Sequence, residues 1–211
     1  MISVQKFCFN AFGENMYLLY DETKECVVID PGCYEKHEKD ELSDFIATKS
    51  LKVVMLINTH CHIDHVLGNF YVKEKYKVQL GIHPKEEVIL RAIPTVAQNY
   101  GFPLYAHTDY DFLLKDKIQF GNSELSVLFV PGHAPGHVVF YHEGQSFCIG
   151  GDVLFRASIG RTDLPYGDHD TLINAIRTVM FALPDDTIIY PGHGSETTIG
   201  YEKENNPFLQ L

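Results

Sequence analysis

Apolar runs long enough to cross a membrane are missing from this 211-residue chain, and no basic segment followed by an apolar stretch opens it. Its first residues, MISVQKFCFN, already alternate as a strand does, so neither a membrane span nor a secretory leader is expected. Cations are scarce: 17 Lys and Arg stand against 28 Asp and Glu, leaving −11 at pH 7 with histidine neutral. A field of that sign repels nucleic acid and anionic membranes, so the expected partner is a small-molecule substrate. Cysteine is sparse, odd in number and scattered (Cys8, Cys26, Cys33, Cys61, Cys148). That is no disulfide framework, and a reducing cytoplasm is the expected compartment. Internal repeats, low-complexity tracts and linker-like stretches are also lacking. What remains, 45% hydrophobic and 21% charged residues, is an ordinary globular composition. We expect one domain over residues 1–211, burying roughly 70% of its unfolded surface, in an oligomeric state the sequence leaves open.

The chain then reads as strand runs mixed with covering helices. ISVQKFCF, NMYLLYD and ECVVIDPG are short apolar runs between turn residues, and EKHEKDELSDFIATKS carries Leu42, Phe45 and Ile46 at helical spacing. VVMLIN is a continuous β-branched run suited to a strand buried on both faces. VLGNFYVKEKY and PKEEVILRA read as helices with a strand, KVQLGI, between them, and residues 93 to 116 read as irregular. SELSVLFVPG, HVVFYHEG, QSFCIGGD and DTIIYPG are strands, HDTLINAIRTVMFAL is a helix, and a short helix closes the chain. The pattern predicts an α/β sandwich.

Against this background NTHCHIDH, residues 58 to 65, stands out for holding His60, His62, Asp64 and His65 within six residues. Imidazoles cost free energy to bury and add little to packing. The concentration points to a pH-sensitive patch, a nucleophile–base pair using Cys61, or a metal site. Three further loops bear on the choice. His133 and His137 follow LSVLFV in PGHAPGH, Asp152 follows SFCIG in GGD, and His193 follows TIIY in PGHG. Each time an apolar strand ends and a ligand type follows, and strand ends on one sheet edge lie close in space. Glycines at 132, 136, 151, 192 and 194 let the backbone turn tightly beside them. His60, His62, His65, His133 and His193 with Asp64 and Asp152 make seven ligands, too many for one tetrahedral ion and right for two ions sharing a carboxylate. His137 begins a strand and is expected to brace its loop. Cys61 lies between two ligands, where alternate residues of a tight loop face apart. His37, His83, His107, His142 and His169 are read as ordinary core or surface residues.

THCHIDH, PGHAPGH, GGD and PGHG, in that order, resemble the metallo-β-lactamase-fold hydrolases, and the likeness spans essentially the whole chain. It implies an αββα sandwich, two mixed β-sheets flanked by helices, with metals in a cleft at one edge. It implies His60, His62 and His133 at a first metal, Asp64, His65 and His193 at a second, and Asp152 bridging. Two divalent ions are expected, Zn first and Fe or Mn as alternatives. Asp30, in VVIDPG, resembles the carboxylate that orients a ligand histidine in this family. DVLFRASIGRTDLPYGDHDTL and GHGSETTIGYEKENNPFL are similar to the glyoxalase II-like branch, in its short bacterial form. That branch implies a thioester hydrolase in which Asp64 and Asp152 serve the chemistry. Its alternative is a persulfide dioxygenase with one Fe(II) on His60, His133 and Asp152. The chain stops where full-length glyoxalase II enzymes continue into a helical domain that helps hold glutathione. Arg161 and Asp163 stand where those enzymes carry a glutathione-contacting lysine and tyrosine, so the resemblance implies a thioester without specifying glutathione. Arg161 is expected to bind an anionic group of the substrate.

Overall fold

The structure, a computed structural model, describes residues 1–210. The alternating runs of the first third form β1 (Ser3–Phe9), β2 (Glu14–Tyr20) and β3 (Glu25–Ile29), paired antiparallel in chain order. Helix α1 (Lys36–Thr48) then crosses to β4 (Lys52–Ile57), which returns parallel to β3. Helices α2 (Ile63–Val66) and α3 (Asn69–Tyr76) lead to β5 (Leu80–Ile82), and α4 (Glu87–Asn99) leads to β6 (Phe112–Leu113). These strands make one mixed sheet in sequence order.

The second half builds β7 (Lys117–Phe120), β8 (Ser123–Phe129), β9 (Val138–His142) and β10 (Phe147–Gly151). A small hairpin, β11 (Leu154–Phe155) with β12 (Ser158–Ile159), precedes α5 (His169–Thr178). Strands β13 (Ile188–Pro191) and β14 (Thr197–Thr198) and helix α6 (Ile199–Asn205) follow. The second sheet runs β14-β13-β10-β9-β8-β7, with β10 and β13 parallel and the other pairs antiparallel.

The period-2 geometry of strands sorts side chains into layers. Tyr17, Leu19, Val27 and Ile29 point between the sheets, where Phe140, Phe147 and Ile149 meet them. Met16, Leu18, Cys26 and Val28 point the other way, against Leu42 of α1, Val72 of α3 and Leu90 of α4. Across the second sheet, Val139, Cys148 and Ile189 pack on Leu172 and Ile176 of α5 and Ile199 of α6. The result is the expected αββα sandwich of two mixed sheets.

Three local readings differ from the expectation. The helix expected from Val66 onward is broken into α2 and α3. Gly68 sits at the break because its N–H donates to Pro31 O at 2.6 Å and a Cβ there would come 2.5 Å from Cys33 Sγ. Helix α4 runs through Pro94 to Asn99, into the stretch expected to be irregular. Proline removes one helical hydrogen bond, but Ile89, Leu90, Ile93 and Ala97 form a buried stripe around it. Each large apolar side chain of such a stripe contributes about 1.5–3 kcal/mol, so packing outweighs the lost bond. Strand β7 was not foreseen. Its alternating Ile118 and Phe120 fill the space between the sheets, and the polar residues around them mask the run.

Candidate metal centre

Each candidate ligand follows the C-terminal end of a strand. His60 and His62 lie in the loop after β4, with Asp64 and His65 on α2. His133 follows β8, Asp152 follows β10 and His193 follows β13. The two sheets are tied at this edge by the backbone: Val138 N–H donates to Thr59 O at 2.9 Å and Asn15 N–H to Gly192 O at 2.7 Å.

The seven side chains converge. His62 Nδ1 lies 2.8 Å from His133 Nε2, which lies 3.2 Å from His60 Nε2. Asp64, His65 and His193 form a second group with ligand atoms within 4.8 Å of one another. Asp152 stands between the groups: one oxygen is 3.4 Å from His65 Nε2, the other 3.7 Å from His133 Nε2 and 3.5 Å from His193 Nε2. His65 Nε2 and Asp152 Oδ1 are buried without a hydrogen-bond partner. A Cβ on Gly192 would overlap Asp152 Oδ1 and reach 2.7 Å from His65 Cε1, so this glycine leaves room for the cluster.

Hydrogen bonds behind the cluster fix which nitrogens face it. His133 Nδ1 donates to Arg161 O at 2.8 Å, which leaves a lone pair on Nε2. Thr59 Oγ1 donates to Asp30 Oδ2 at 2.5 Å and so accepts from His60 Nδ1 at 3.1 Å, leaving a lone pair on His60 Nε2. Asp30 Oδ2 also accepts from His65 Nδ1 at 3.1 Å. One carboxylate thus orients ligands in both groups, from a left-handed backbone with φ 51°. His137 accepts from Asp152 N–H through Nε2 at 3.0 Å and stacks on His60 at 4.7 Å, outside both ligand groups.

Burial is the main force pushing His60, His62 and His133 down, His62 to about 3, so all three are neutral. His60 and His133 thus aim two lone pairs at one point beside His62 Nδ1, and neutral imidazole is the form that binds a cation. In the second group burial also pulls His65 and His193 down, but it is outweighed. Asp64 and Asp152 hold His65 well above its ordinary value, and the Asp64 hydrogen bond and Asp152 raise His193. Burial works against ionisation of Asp152, yet His65, His133 and His193 hold it far below the carboxylate range. Imidazoles with free lone pairs, two ionised carboxylates and two unpartnered buried atoms fit a pair of borderline divalent ions.

Two carboxyls here escaped the sequence reading. Glu86 is fully buried and accepts Cys61 N–H at 2.8 Å and Gly136 N–H at 2.6 Å, joining the His60–His62 loop to the His133–His137 loop. Burial pushes it up to about 7. Glu14 is fully buried beside His65 and neither oxygen has a partner. Burial raises it well above the carboxylate range. No motif marks either residue. Cys61 is fully buried and burial pushes its thiol far up, so it offers no thiolate. Arg161 lines the cavity at the cluster, but its Nε and Nη2 are held by Asp163 at 2.6 and 2.7 Å.

That cavity has a volume of about 610 Å³ and opens onto His62, Asp64, His133, Asp152 and His193. Among the described residues no helix is long and apolar enough to cross a membrane, and all five cysteines are free thiols.

The chain is similar to known proteins. The family described as the metallo-beta-lactamase superfamily matches residues 10–193. Hydroxyacylglutathione hydrolase GloC of Haemophilus influenzae is 38% identical over 208 residues, covering 94% of each chain. The crystal structure of the B3 metallo-beta-lactamase BLEG-1 is 33% identical, covers 100% of both chains and superposes with a TM-score of 0.90. That of TTHA1623 in a di-iron-bound form is 32% identical over 98% of this chain and 100% of its own, with a TM-score of 0.85.

Proposed function

The chain belongs to the metallo-beta-lactamase superfamily, and from that premise we propose that it is a metal-dependent hydrolase of thioesters. The observation that carries the reading is Asp152 standing between two complete ligand groups at the floor of a substrate-sized cavity. His60, His62 and His133 would hold one divalent ion, and Asp64, His65 and His193 a second, with Asp152 shared. Such a pair, Zn in the first instance, supplies a hydroxide at neutral pH and polarises a carbonyl oxygen. The alternative is a persulfide dioxygenase with one Fe(II) on His60, His133 and Asp152, and metal content separates the two: two Zn per chain supports the hydrolase, one Fe per chain the dioxygenase.

The chain's own residues do the rest. Asp64 and Asp152 bring the negative charge that balances the cations and hold the attacking water in line with the acyl carbon. The Arg161 carbonyl and the Thr59–Asp30 relay lock the tautomers of His133 and His60, so no ligand reorients during the reaction. The buried, protonated Cys61 leaves the acyl group no protein nucleophile in the ligand loop. Similarity to an enzyme named hydroxyacylglutathione hydrolase supports a thioester substrate. Five free thiols and an acidic composition suit a small-molecule enzyme of the reducing cytoplasm.

The test is thiol release from a small thioester, followed with a chromogenic thiol reagent. Chelator abolishes the rate and zinc restores it, and Asp152→Ala loses both metal and rate. Cys61→Ala keeps most of both. An inactive Cys61→Ala with full metal content would replace the water mechanism by a thiol one, and β-lactam turnover without thioester turnover would move the substrate class.

A further inference from the structure

The cavity walls are specific about what they can hold. One wall is α4, with Ala92 and Val96, and Tyr100 just past its end, and the other is formed by residues of the segment from Phe155 to Tyr166. Beyond the ligand cluster, Ser158 and Arg161 are the only lining residues, among those described, that are neither apolar nor aromatic. Where the cavity meets solvent, Phe12, Tyr100 and Tyr166 remain 41%, 54% and 61% exposed, an apolar rim that a soluble chain does not normally leave uncovered. Phe12 and Tyr100 are neighbours, with ring centroids 6.0 Å apart.

Charge points the same way. Outside the ligand cluster the single cation in the lining is Arg161, and Asp163 pairs with it in a two-pronged contact. An anionic substrate would have to displace a carboxylate tethered two residues away. The chain as a whole carries −11. Beyond the ligand cluster the carboxylates of a glutathione arm therefore find apolar walls and one arginine already shared with Asp163, and burying a charge without a partner is costly.

We propose that the substrate is a thioester whose arm in this cavity is uncharged and apolar, of aryl size, and that Ala92, Val96, Tyr100 and Tyr166 determine that specificity. This rests on the thioester reading above and narrows it. An aryl arm has flat faces for Tyr100 and Tyr166 and apolar area for Ala92 and Val96, and its transfer from water favours the cavity. The Arg161–Asp163 pair balances the one arginine of the lining.

The experiment separates this inference from the reading beneath it by measuring binding and turnover on the metal-replete protein. Calorimetry compares S-benzyl-N-acetylcysteamine, aryl and uncharged, with S-methylglutathione, charged and without a ring. Kinetics compare the phenylpropionyl and acetyl thioesters of N-acetylcysteamine with S-lactoylglutathione. The benzyl compound is expected to bind more tightly. The phenylpropionyl ester is expected to exceed the acetyl ester in kcat/KM by about tenfold or more, the scale of discrimination an apolar pocket supplies, and to exceed the glutathione ester. Ala92→Lys, an exposed change to a good helix former, should lower kcat/KM for the aryl ester and raise it for the glutathione ester at unchanged metal content. Equal or tighter binding of S-methylglutathione, or a preference for its ester, overturns the apolar arm while leaving thioester hydrolysis intact. Turnover of no thioester, with the benzyl compound still bound more tightly, overturns the thioester reading and upholds the cavity's preference.

Discussion

Glu86 gives the sharpest test of how the ligand loops are held. Two opposing effects meet on its carboxyl: the N–H groups of Cys61 and Gly136 favour the ionised form, and burial favours the neutral one. Burial wins, placing the group at about 7 against an ordinary 4.5. The folded protein then keeps a proton that the unfolded chain releases, so stability is full below pH 4.5 and is lost as pH rises through 7. At about 1.4 kcal/mol per tenfold, the loss totals about 3 kcal/mol, of which about 2 falls between pH 5.5 and 8. Glu86→Gln is nearly the shape of the protonated acid and does not titrate. Urea unfolding of both proteins in chelator should therefore show the variant gaining on wild type by about 2 kcal/mol from pH 5.5 to 8. A variant that loses ground with rising pH would show that the two N–H donors outweigh burial and that Glu86 is an ionised clasp.

Other substitutions probe the remaining supports. Asp30→Asn keeps a residue type that tolerates the left-handed backbone but weakens the acceptor shared by His65 and Thr59. Metal affinity should fall about 10–100-fold, and competition with a chromogenic chelator showing no change would remove Asp30 from the support. Gly192→Ala places a Cβ on Asp152 Oδ1 and should cost bound metal while the far-ultraviolet circular dichroism stays native, whereas full metal content would mean that the loop moves freely. Glu14→Gln replaces a carboxyl that burial pushes well above its ordinary value by a neutral amide, so metal content should hold and the variant should gain stability on wild type as pH rises above 4.5. Loss of metal in that variant would mean that Glu14 carries charge that the ligands need.

The ligand set was legible because chemistry and topology coincide in the chain. Each of the loops at His60, His133, Asp152 and His193 directly follows an apolar strand, and two sheets packed face to face bring such ends to one edge. The sandwich was legible from strand runs mixed with covering helices, and an apolar run such as Met16 to Leu19 serves two cores because successive residues face opposite ways. Glu86 was hidden because its sequence surroundings, PKEEVILRA, are those of a solvated first helical turn. The approach of Cys61 and Gly136, from 25 and 50 residues away, goes with its burial. The engagement of Arg161 was hidden for a related reason. Asp163 was visible two residues on, but whether a loop arginine turns to its neighbour or to the cleft depends on the loop's path. The length of α4 was masked by Pro94, whose local cost is read easily and whose compensating burial is a tertiary property.

Whether two ion sites act together on an acyl compound is decided by one titration. Chelator-stripped protein is loaded stepwise with Zn²⁺ while hydrolysis of a neutral aryl thioester is followed. The rate should rise until two equivalents per chain are bound and then level off. A plateau at one equivalent, or no hydrolysis at any loading, would show that the two sites do not act together on such a compound.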